Sequence, residues 1–139
     1  MEDLVIGFTG TQEGMNASQL ERLTSYLKGA YDWATANGYR PVFSHGDCIG
    51  SDDTAARTAK NIGFFIRAYP PENAKKRAWC VANDEVYKPA PYLTRNRYIV
   101  AGAHYMVATP RGPEVLRSGT WATIRFSQLQ NKRVDIFYP

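Results

Sequence analysis

Short runs of strand-forming residues alternate along this chain with longer segments of helical periodicity, and this alternation constrains the fold more than any other feature. The apolar runs cover residues 4–8, 40–45, 64–69, 104–109 and 133–138. Strands that alternate with helices pair in parallel, with right-handed crossovers and with helices on both faces of the sheet. The sequence therefore predicts an α/β fold, a three-layer Rossmann-like sandwich with a mostly parallel sheet of about five strands.

Capping signals indicate where the helices begin and end. Asn16 and Gln19 have the spacing of a capping box, and Gly38 stands where a C-terminal glycine belongs. Further helices are predicted over residues 51–61, 92–101 and 119–130. The weakest signal lies in residues 72–91, where about two helical turns over 74–80 and an irregular loop over 84–91 are predicted. A long ordered loop of this kind is often a functional lid.

Composition limits the class of protein. The 139 residues suffice for one domain with a core, so a single domain spanning residues 1–139 is expected. The net charge of +4 is compatible with a phosphorylated partner but too small to indicate one. Cys48 and Cys80 lack the spacing of a zinc site, which favours reduced thiols in a cytoplasmic protein. No apolar run is long enough to cross a membrane, and no signal peptide is recognisable.

Four loops are expected to meet at one edge of the sheet, because α/β sheets bind ligands beyond the carboxyl ends of their strands. These loops span residues 9–14, 46–51, 70–73 and 111–120, and each is rich in glycine, proline or small polar residues. The sequence therefore predicts a small-ligand site at this edge.

The start of the last predicted helix has the features of an anion site. Ser118, Gly119 and Thr120 form a turn in which unpaired backbone N–H groups and the helix dipole suit a phosphate. Arg117 adds a fork of donors that matches phosphate geometry. The alternative interpretation is that Ser118 merely caps the helix.

The first two loops supply further candidates. Gly10, followed by Thr11 and Gln12, would allow a phosphate to approach closely, although the dinucleotide fingerprint GxGxxG is absent. In the second loop Gly46 permits a tight backbone, and Asp47 would hold ribose hydroxyls or act as a general base.

Several other residues have a functional and a structural interpretation. His45 is either a site residue or a structural histidine, and Asp52 is either catalytic or simply favoured by a helix dipole. Arg95 either enters the site or belongs to a solvated helix face. Candidate stacking partners for a base, each of which is alternatively a packing residue, are Tyr92, Trp79 and Trp121.

A metal centre is not expected from the sequence. His45, Asp47 and Cys48 are metal-ligand types, but no fourth ligand lies at a telling spacing. Neither a metal nor a cofactor is therefore predicted.

Five segments together resemble the SLOG superfamily, namely GFTGTQ, HGDCIGSDDTA, YPP, RNRYIVAGA and RSGTWATIR. That superfamily includes the lonely-guy cytokinin-activating phosphoribohydrolases and the Rossmann-like core of the DNA-processing protein A family. The resemblance covers nearly the whole chain in the right order. It implies a Rossmann-like fold that binds nucleotides or nucleotide-derived ligands at the predicted edge, and a homodimer formed through helices.

The resemblance to the lonely-guy enzymes is incomplete at the reacting group. Those enzymes carry PGGxGTxxE, whose glutamate serves cleavage of an N-glycosidic bond. Gly119 and Thr120 match the GT of this pattern, and Arg95 matches a helix arginine, but Thr123 stands where the glutamate belongs. N-glycosidic hydrolysis would therefore need Asp47 or Asp52 as the substitute carboxylate.

Two functional hypotheses follow. In the first, the protein binds a nucleotide-derived small molecule, as a sensor or as a hydrolase, through Gly10, Thr11, Gln12, His45, Gly46, Asp47, Arg95, Arg117, Ser118, Gly119 and Thr120. In the second, it binds single-stranded DNA, because residues 95–103 and 118–124 resemble the DNA-processing core. The second hypothesis predicts an affinity that falls steeply with salt.

Overall fold

Six parallel strands form one sheet flanked by four helices in the computed structural model, which describes all 139 residues. The strands are β1 (Asp3–Gly10), β2 (Arg40–His45), β3 (Phe65–Ala68), β4 (Glu85–Val86), β5 (Tyr105–Thr109) and β6 (Val134–Ile136). The helices are α1 (Ala17–Ala36), α2 (Ser51–Ile62), α3 (Tyr92–Gly102) and α4 (Gly119–Leu129). The strand order is β4-β3-β2-β1-β5-β6, and the predicted α/β class is confirmed.

The order of the strands reverses between β1 and β5. From β1 the chain winds outward through β2 and β3 to β4, and then returns to place β5 against the free side of β1. Gly10, the last residue of β1, pairs there with Thr109, the last residue of β5. The loops that follow these two strands diverge and leave a crevice, which is where doubly wound sheets bind their ligands.

Two helices pack on each face of the sheet. The core on one face joins α1 and α2 to the strands through fully buried side chains such as Phe8, Leu23 and Phe43. On the other face, α3 packs on the sheet through Ile99 and Val100, and α4 packs beside it. The central strands are apolar on both sides because both of their faces are covered.

The capping box predicted for α1 is present. Asn16 Oδ1 accepts the backbone N–H of Gln19 at 2.8 Å, and Gln19 Oε1 accepts the backbone N–H of Asn16 at 3.0 Å. The amide nitrogen of Gln19 also donates to the carbonyl oxygens of Pro110 and Phe137. These bonds tie the start of α1 to the loop after β5 and to the end of the chain.

The segment between β3 and α3 differs from the sequence prediction. Residues 84–91, predicted as an irregular loop, contain β4, which gives six strands rather than about five. The register of β4 is set by Asp84, whose carboxylate accepts the N–H of Ile66 and pairs with Lys60. Residues 74–80 form only a 3-10 turn over Ala74–Lys76, because Arg77 is drawn into a β-bridge with Cys48. No helix is both long and apolar enough to cross a membrane.

Candidate functional site

A mostly polar cavity of about 570 Å³ opens in the crevice between the loops that follow β1 and β5. Its walls are residues 10–13, Tyr92 at the start of α3, parts of the loop after β5, and the first turn of α4. Two of the four loops predicted to form the site therefore line this cavity. The loop 70–73 does not, because Pro71 and Glu72 pair instead with Ala90 just before α3.

The first turn of α4 presents free backbone donors to the cavity. Ser118 Oγ accepts the N–H of Trp121 at 3.2 Å, and the helix ladder begins with Ala122 N donating to the carbonyl of Ser118 at 2.9 Å. The N–H groups of Gly119 and Thr120 precede this first bond and have no acceptor in the protein. Both residues line the cavity, so this helix end can receive an anion.

The N-terminus of α2, in contrast, is closed by the loop after β1. The carbonyl oxygen of Thr11 accepts both the backbone N–H of Ser51 at 3.2 Å and its hydroxyl at 2.6 Å. Gly50, at a φ of +91°, lies so close to the backbone of Gln12 that a Cβ would not fit. The space before the first turn of α2, in the predicted loop 46–51, is therefore filled by the protein's own backbone.

Charged side chains around the large cavity favour an anionic ligand. Arg111 and Arg117 both line it, against a single carboxylate, Glu13. Glu13 accepts the hydroxyl of Thr11 and lies 3.4 Å from Arg111 Nη1, whereas Arg117 forms no ion pair or hydrogen bond. The bond from the Thr11 hydroxyl, assisted by the backbone N–H of Glu13, lowers the pKa of this carboxyl group.

A second, smaller cavity lies directly behind the first. It has a volume of about 20 Å³, enough for about one water molecule, and it shares Gly10, Gln12 and Tyr92 with the large cavity. Gly46, Asp52 and Arg95, all of which were predicted site residues, line it. These three residues therefore do not line the large cavity, although they share the small one with Gly10 and Gln12.

Arg95 and Asp52 are held rigidly in this inner position. Arg95 is only 3% exposed; its guanidinium donates to the carbonyl oxygens of Gly46 and Tyr69, while its Nε has no partner. Asp52 Oδ2 accepts the N–H of Gly46 at 3.0 Å and that of Cys48 at 3.2 Å. Burial nevertheless raises the pKa of Asp52, because removal from water penalises its charged form.

Asp47 and His45 belong to a closed hydrogen-bond network that lines neither cavity. Asp47 is fully buried; one oxygen accepts Arg77 Nε at 3.0 Å, and the other accepts the N–H of Cys80 and the side chain of Asn83. Burial alone would raise the pKa of Asp47, but these hydrogen bonds outweigh it and lower the pKa. The expectation that Asp47 faces the same cavity as the first loop is therefore not met.

The same network explains the position of the buried histidine. His45 Nδ1 accepts the N–H of Asp47 at 3.0 Å, so the ring proton is on Nε2, which donates to Asn83 Oδ1 at 2.7 Å. His45, Asp47 and Cys80 could each offer one ligand atom to a metal ion, and these three atoms lie within 4.8 Å of one another. Because both nitrogens of His45 and both oxygens of Asp47 already have partners, this cluster is a structural network rather than an open coordination site.

The predicted site residues thus fall into three groups. Those that line the large cavity are Gly10, Thr11, Gln12, Arg117, Ser118, Gly119 and Thr120. Gly46, Asp52 and Arg95 lie behind it, and His45 and Asp47 lie apart from both cavities. Glu13 and Arg111 also line the large cavity but were not predicted from the sequence. Both are exposed loop residues outside any periodic pattern, and the only indication was that each lies in a loop predicted to form the site.

Solved structures of other proteins share this fold, although no protein-family profile and no curated protein sequence matches the chain. The molybdenum cofactor binding protein from the phototrophic bacterium Rippkaea orientalis is 18% identical with a TM-score of 0.73, over 100% of this chain and 78% of that one. The Moco carrier protein from Chlamydomonas reinhardtii is 18% identical with a TM-score of 0.66, over 99% of this chain and 78% of that one.

DNA processing protein A from Streptococcus pneumoniae is also similar in structure. It is 18% identical with a TM-score of 0.67, and the match covers 99% of this chain but 50% of that one. This match confirms the Rossmann-like fold that the resemblance to the SLOG superfamily implied. Identities this low establish the fold alone.

Proposed function

We propose that this protein binds a nucleotide or a nucleotide-derived phosphorylated ligand in the cavity between the loops after β1 and β5. The observation that carries the proposal is the open N-terminus of α4. The free N–H groups of Gly119 and Thr120 and the unpaired guanidinium of Arg117 border one cavity at the reversal of strand order. Backbone donors, a helix dipole and an arginine together favour a phosphate group.

The size of the cavity supports a ligand larger than phosphate itself. Its volume of about 570 Å³ is typical of sites for small organic molecules. By their names, two structures with this fold belong to proteins that bind or carry the molybdenum cofactor, and a third to a DNA-processing protein. The fold thus accommodates both small-molecule and DNA-related functions, and we base the choice between them on the geometry of the cavity.

Whether the ligand is only sensed or also hydrolysed depends on a carboxylate. Thr123 is buried and donates its hydroxyl to the carbonyl of Gly119, so this position supplies no acid. Asp47 and Asp52 were the sequence candidates, but Glu13 is the carboxylate that lines the large cavity. For the hydrolase version we therefore propose Glu13 as the group that faces the ligand.

The experiment that tests ligand binding compares Arg117→Ala with Lys28→Ala, by calorimetric titration with nucleoside monophosphates and with inorganic pyrophosphate. Both changes remove one exposed positive charge, but Lys28 lies on α1, away from the cavity. Arg117→Ala should weaken binding by about 1–3 kcal/mol, whereas Lys28→Ala should leave it unchanged. Equal affinities in both variants would remove Arg117 from the site.

Binding of single-stranded DNA is the second candidate function. A specific observation favours it: the basic 3-10 turn Ala74–Lys76 contacts a wall residue of the large cavity, since Lys76 Nζ lies 3.3 Å from Gln12 Oε1. Phosphates of a strand that leaves the cavity would meet these lysines. Affinity for an oligonucleotide would then fall with salt in proportion to the phosphates contacted.

The assembly of the protein is likewise a proposal. We propose a homodimer formed through the outer surfaces of α3 and α4, where Leu93 is 63% exposed and Leu129 is 78% exposed. Both residues border a groove of about 270 Å³ between the two helices. A cytoplasmic location stays a prediction from the sequence; Cys48 and Cys80 are both buried free thiols.

A further inference from the structure

We propose that Trp79 is a stacking platform for a heteroaromatic base, and that it forms a second subsite beside the phosphate-binding cavity. The inference rests on the proposed function, since it adds the ring of a ligand whose phosphate lies at α4. The chemistry recognised is a nucleobase joined to phosphate, whether in a free nucleotide or in a single strand.

The exposure and backbone of Trp79 are both unusual. The side chain is 63% exposed, although indole is among the largest apolar groups in a protein. Its φ of +55° lies in the left-handed region, where a bulky residue is a genuine outlier. Such backbone strain persists only where the surrounding structure fixes it, and it clusters at binding sites.

Buried groups on either side hold Trp79 in this conformation. The N–H of Ala78 donates to the carbonyl of Asp47 at 2.7 Å, and the N–H of Cys80 donates to the Asp47 carboxylate at 3.0 Å. Both peptide neighbours of Trp79 are therefore anchored to one fully buried residue. The backbone from which the indole projects is therefore fixed before any ligand arrives, which lowers the entropic cost of stacking.

Arg77 covers one face of the indole. Its guanidinium carbon lies 3.5 Å from the ring centroid, and its Nε donates to Asp47 at 3.0 Å. The side chain of Arg77 is only 12% exposed, so the guanidinium is itself held in place. Because this face is occupied, the exposed surface of Trp79 is the opposite face and the ring edges, which are available to a planar partner.

A hydrogen bond joins the segment that precedes this platform to a wall residue of the large cavity. Gln12 lines the cavity, and its side chain accepts a hydrogen bond from Lys76, which precedes Arg77 in the chain. Lys75 and Lys76 carry positive charge on the same turn. A ligand with phosphate at α4 and a base on Trp79 would thus pass Gln12, with the lysines beside it.

The experiment measures affinity by calorimetry for the intact protein and for Trp79→Ala, Trp79→Phe and Trp33→Ala. Trp33 is the matched control, because it is 53% exposed and stacks on Tyr39 but lies on α1 and lines a different groove. The probes are nucleoside monophosphates, inorganic pyrophosphate and a short oligothymidylate. Trp79→Ala should weaken binding of the base-containing probes by about tenfold and leave pyrophosphate unchanged.

The other two variants test whether an aromatic ring at position 79 is what the base requires. Trp79→Phe should retain most of the affinity, since it keeps an aromatic face, and Trp33→Ala should change nothing. Binding of base-containing probes that is equal in Trp79→Ala and the intact protein overturns the platform and leaves the proposed function standing. An effect on oligothymidylate alone identifies the single strand as the source of the base. If the intact protein binds none of the probes, both the platform and the proposed function fail.

Discussion

The hydroxyl of Tyr92 occupies the space that a Cβ on Gly119 would fill. Tyr92 begins α3 and Gly119 begins α4, so this contact joins the starts of the two helices at the wall of the large cavity. The φ of Gly119 is not positive, and any residue could adopt its backbone conformation. Glycine is required here for the close approach of the tyrosine rather than for a special turn.

Gly119→Ala is expected to weaken ligand binding with little loss of stability. The added methyl group conflicts with the hydroxyl end of Tyr92, a side chain that is 43% exposed and can move aside. Alanine also restricts the unfolded chain more than glycine does, which stabilises the fold by about 0.4–1 kcal/mol and offsets part of the conflict. Thermal denaturation should therefore change little, while nucleotide affinity falls as Tyr92 is displaced.

The matched control for this change is Gly112→Ala. Gly112 also lines the cavity, but a Cβ at this position would meet no atom within 4 Å. The nucleotide affinity of the Gly112→Ala variant should stay close to that of the unmodified protein. If the two alanine variants bind equally well, the contact between Tyr92 and Gly119 does not shape the site.

Asp47→Asn is expected to destabilise the fold by about 3 kcal/mol at neutral pH, because it leaves the nearly buried Arg77 without its counter-charge. The pKa of Asp47 is lowered in the folded state. Its contribution is therefore present above the unfolded value of about 3.9 and is lost as the pH falls through the folded value. Urea denaturation should show a difference in the free energy of unfolding between the unmodified protein and Asp47→Asn. This difference should be constant at neutral pH and should decrease below about pH 4.

Asp53→Asn provides the comparison for a surface carboxylate. Asp53 pairs with Arg57 one helical turn away, and the side chains are 34% and 58% exposed respectively. Removing this pair should change the free energy of unfolding by less than about 1 kcal/mol. A cost for Asp47→Asn no larger than that for Asp53→Asn would contradict the structural role of the Asp47 network.

Local signals in the sequence were sufficient for most of the fold. The capping box of Asn16 and Gln19 depends on neighbours three residues apart, and the predicted helix begins where the structure has it. The strand β4 could not be predicted, because two residues carry no periodicity and their pairing depends on the contact of Asp84 with Ile66.

The candidate site was predictable only in part, for a related reason. The turn at Ser118–Thr120 is a local motif, and it lines the cavity as its sequence suggested. The orientation of Asp47 is instead decided by Arg77 and Asn83, which lie 30 and 36 residues later in the chain. A strand-end carboxylate looks the same in sequence whether it faces a ligand or a buried arginine.

Glu13→Gln separates the sensor from the hydrolase. If the unmodified protein releases free base from a nucleoside monophosphate, this change should reduce the rate by about 10²–10⁴-fold while leaving ligand affinity nearly intact. The lowered pKa of Glu13 keeps it charged at neutral pH, which suits stabilisation of an oxocarbenium-like transition state.

Chromatographic detection of the released base is the measurement for this prediction, with Asp53→Asn as the control that should retain the full rate. Loss of base release in Asp47→Asn under conditions where that variant is still folded, with full release in Glu13→Gln, would return the role to Asp47. Recovery of the intact nucleotide after incubation with the unmodified protein would identify a sensor.

Leu129→Glu is expected to convert the proposed dimer into a monomer. Leu129 is 78% exposed at the end of α4 and borders the groove between α3 and α4, so a charge there would be buried without a partner in the interface. Leu116→Glu is the control, because Leu116 is 88% exposed but precedes α4 and does not line that groove. Sedimentation at micromolar concentration should give a dimer for the unmodified protein and for Leu116→Glu, and a monomer for Leu129→Glu. A strictly monomeric unmodified protein would rule out the dimer, whereas dissociation by both substitutions would place its interface elsewhere.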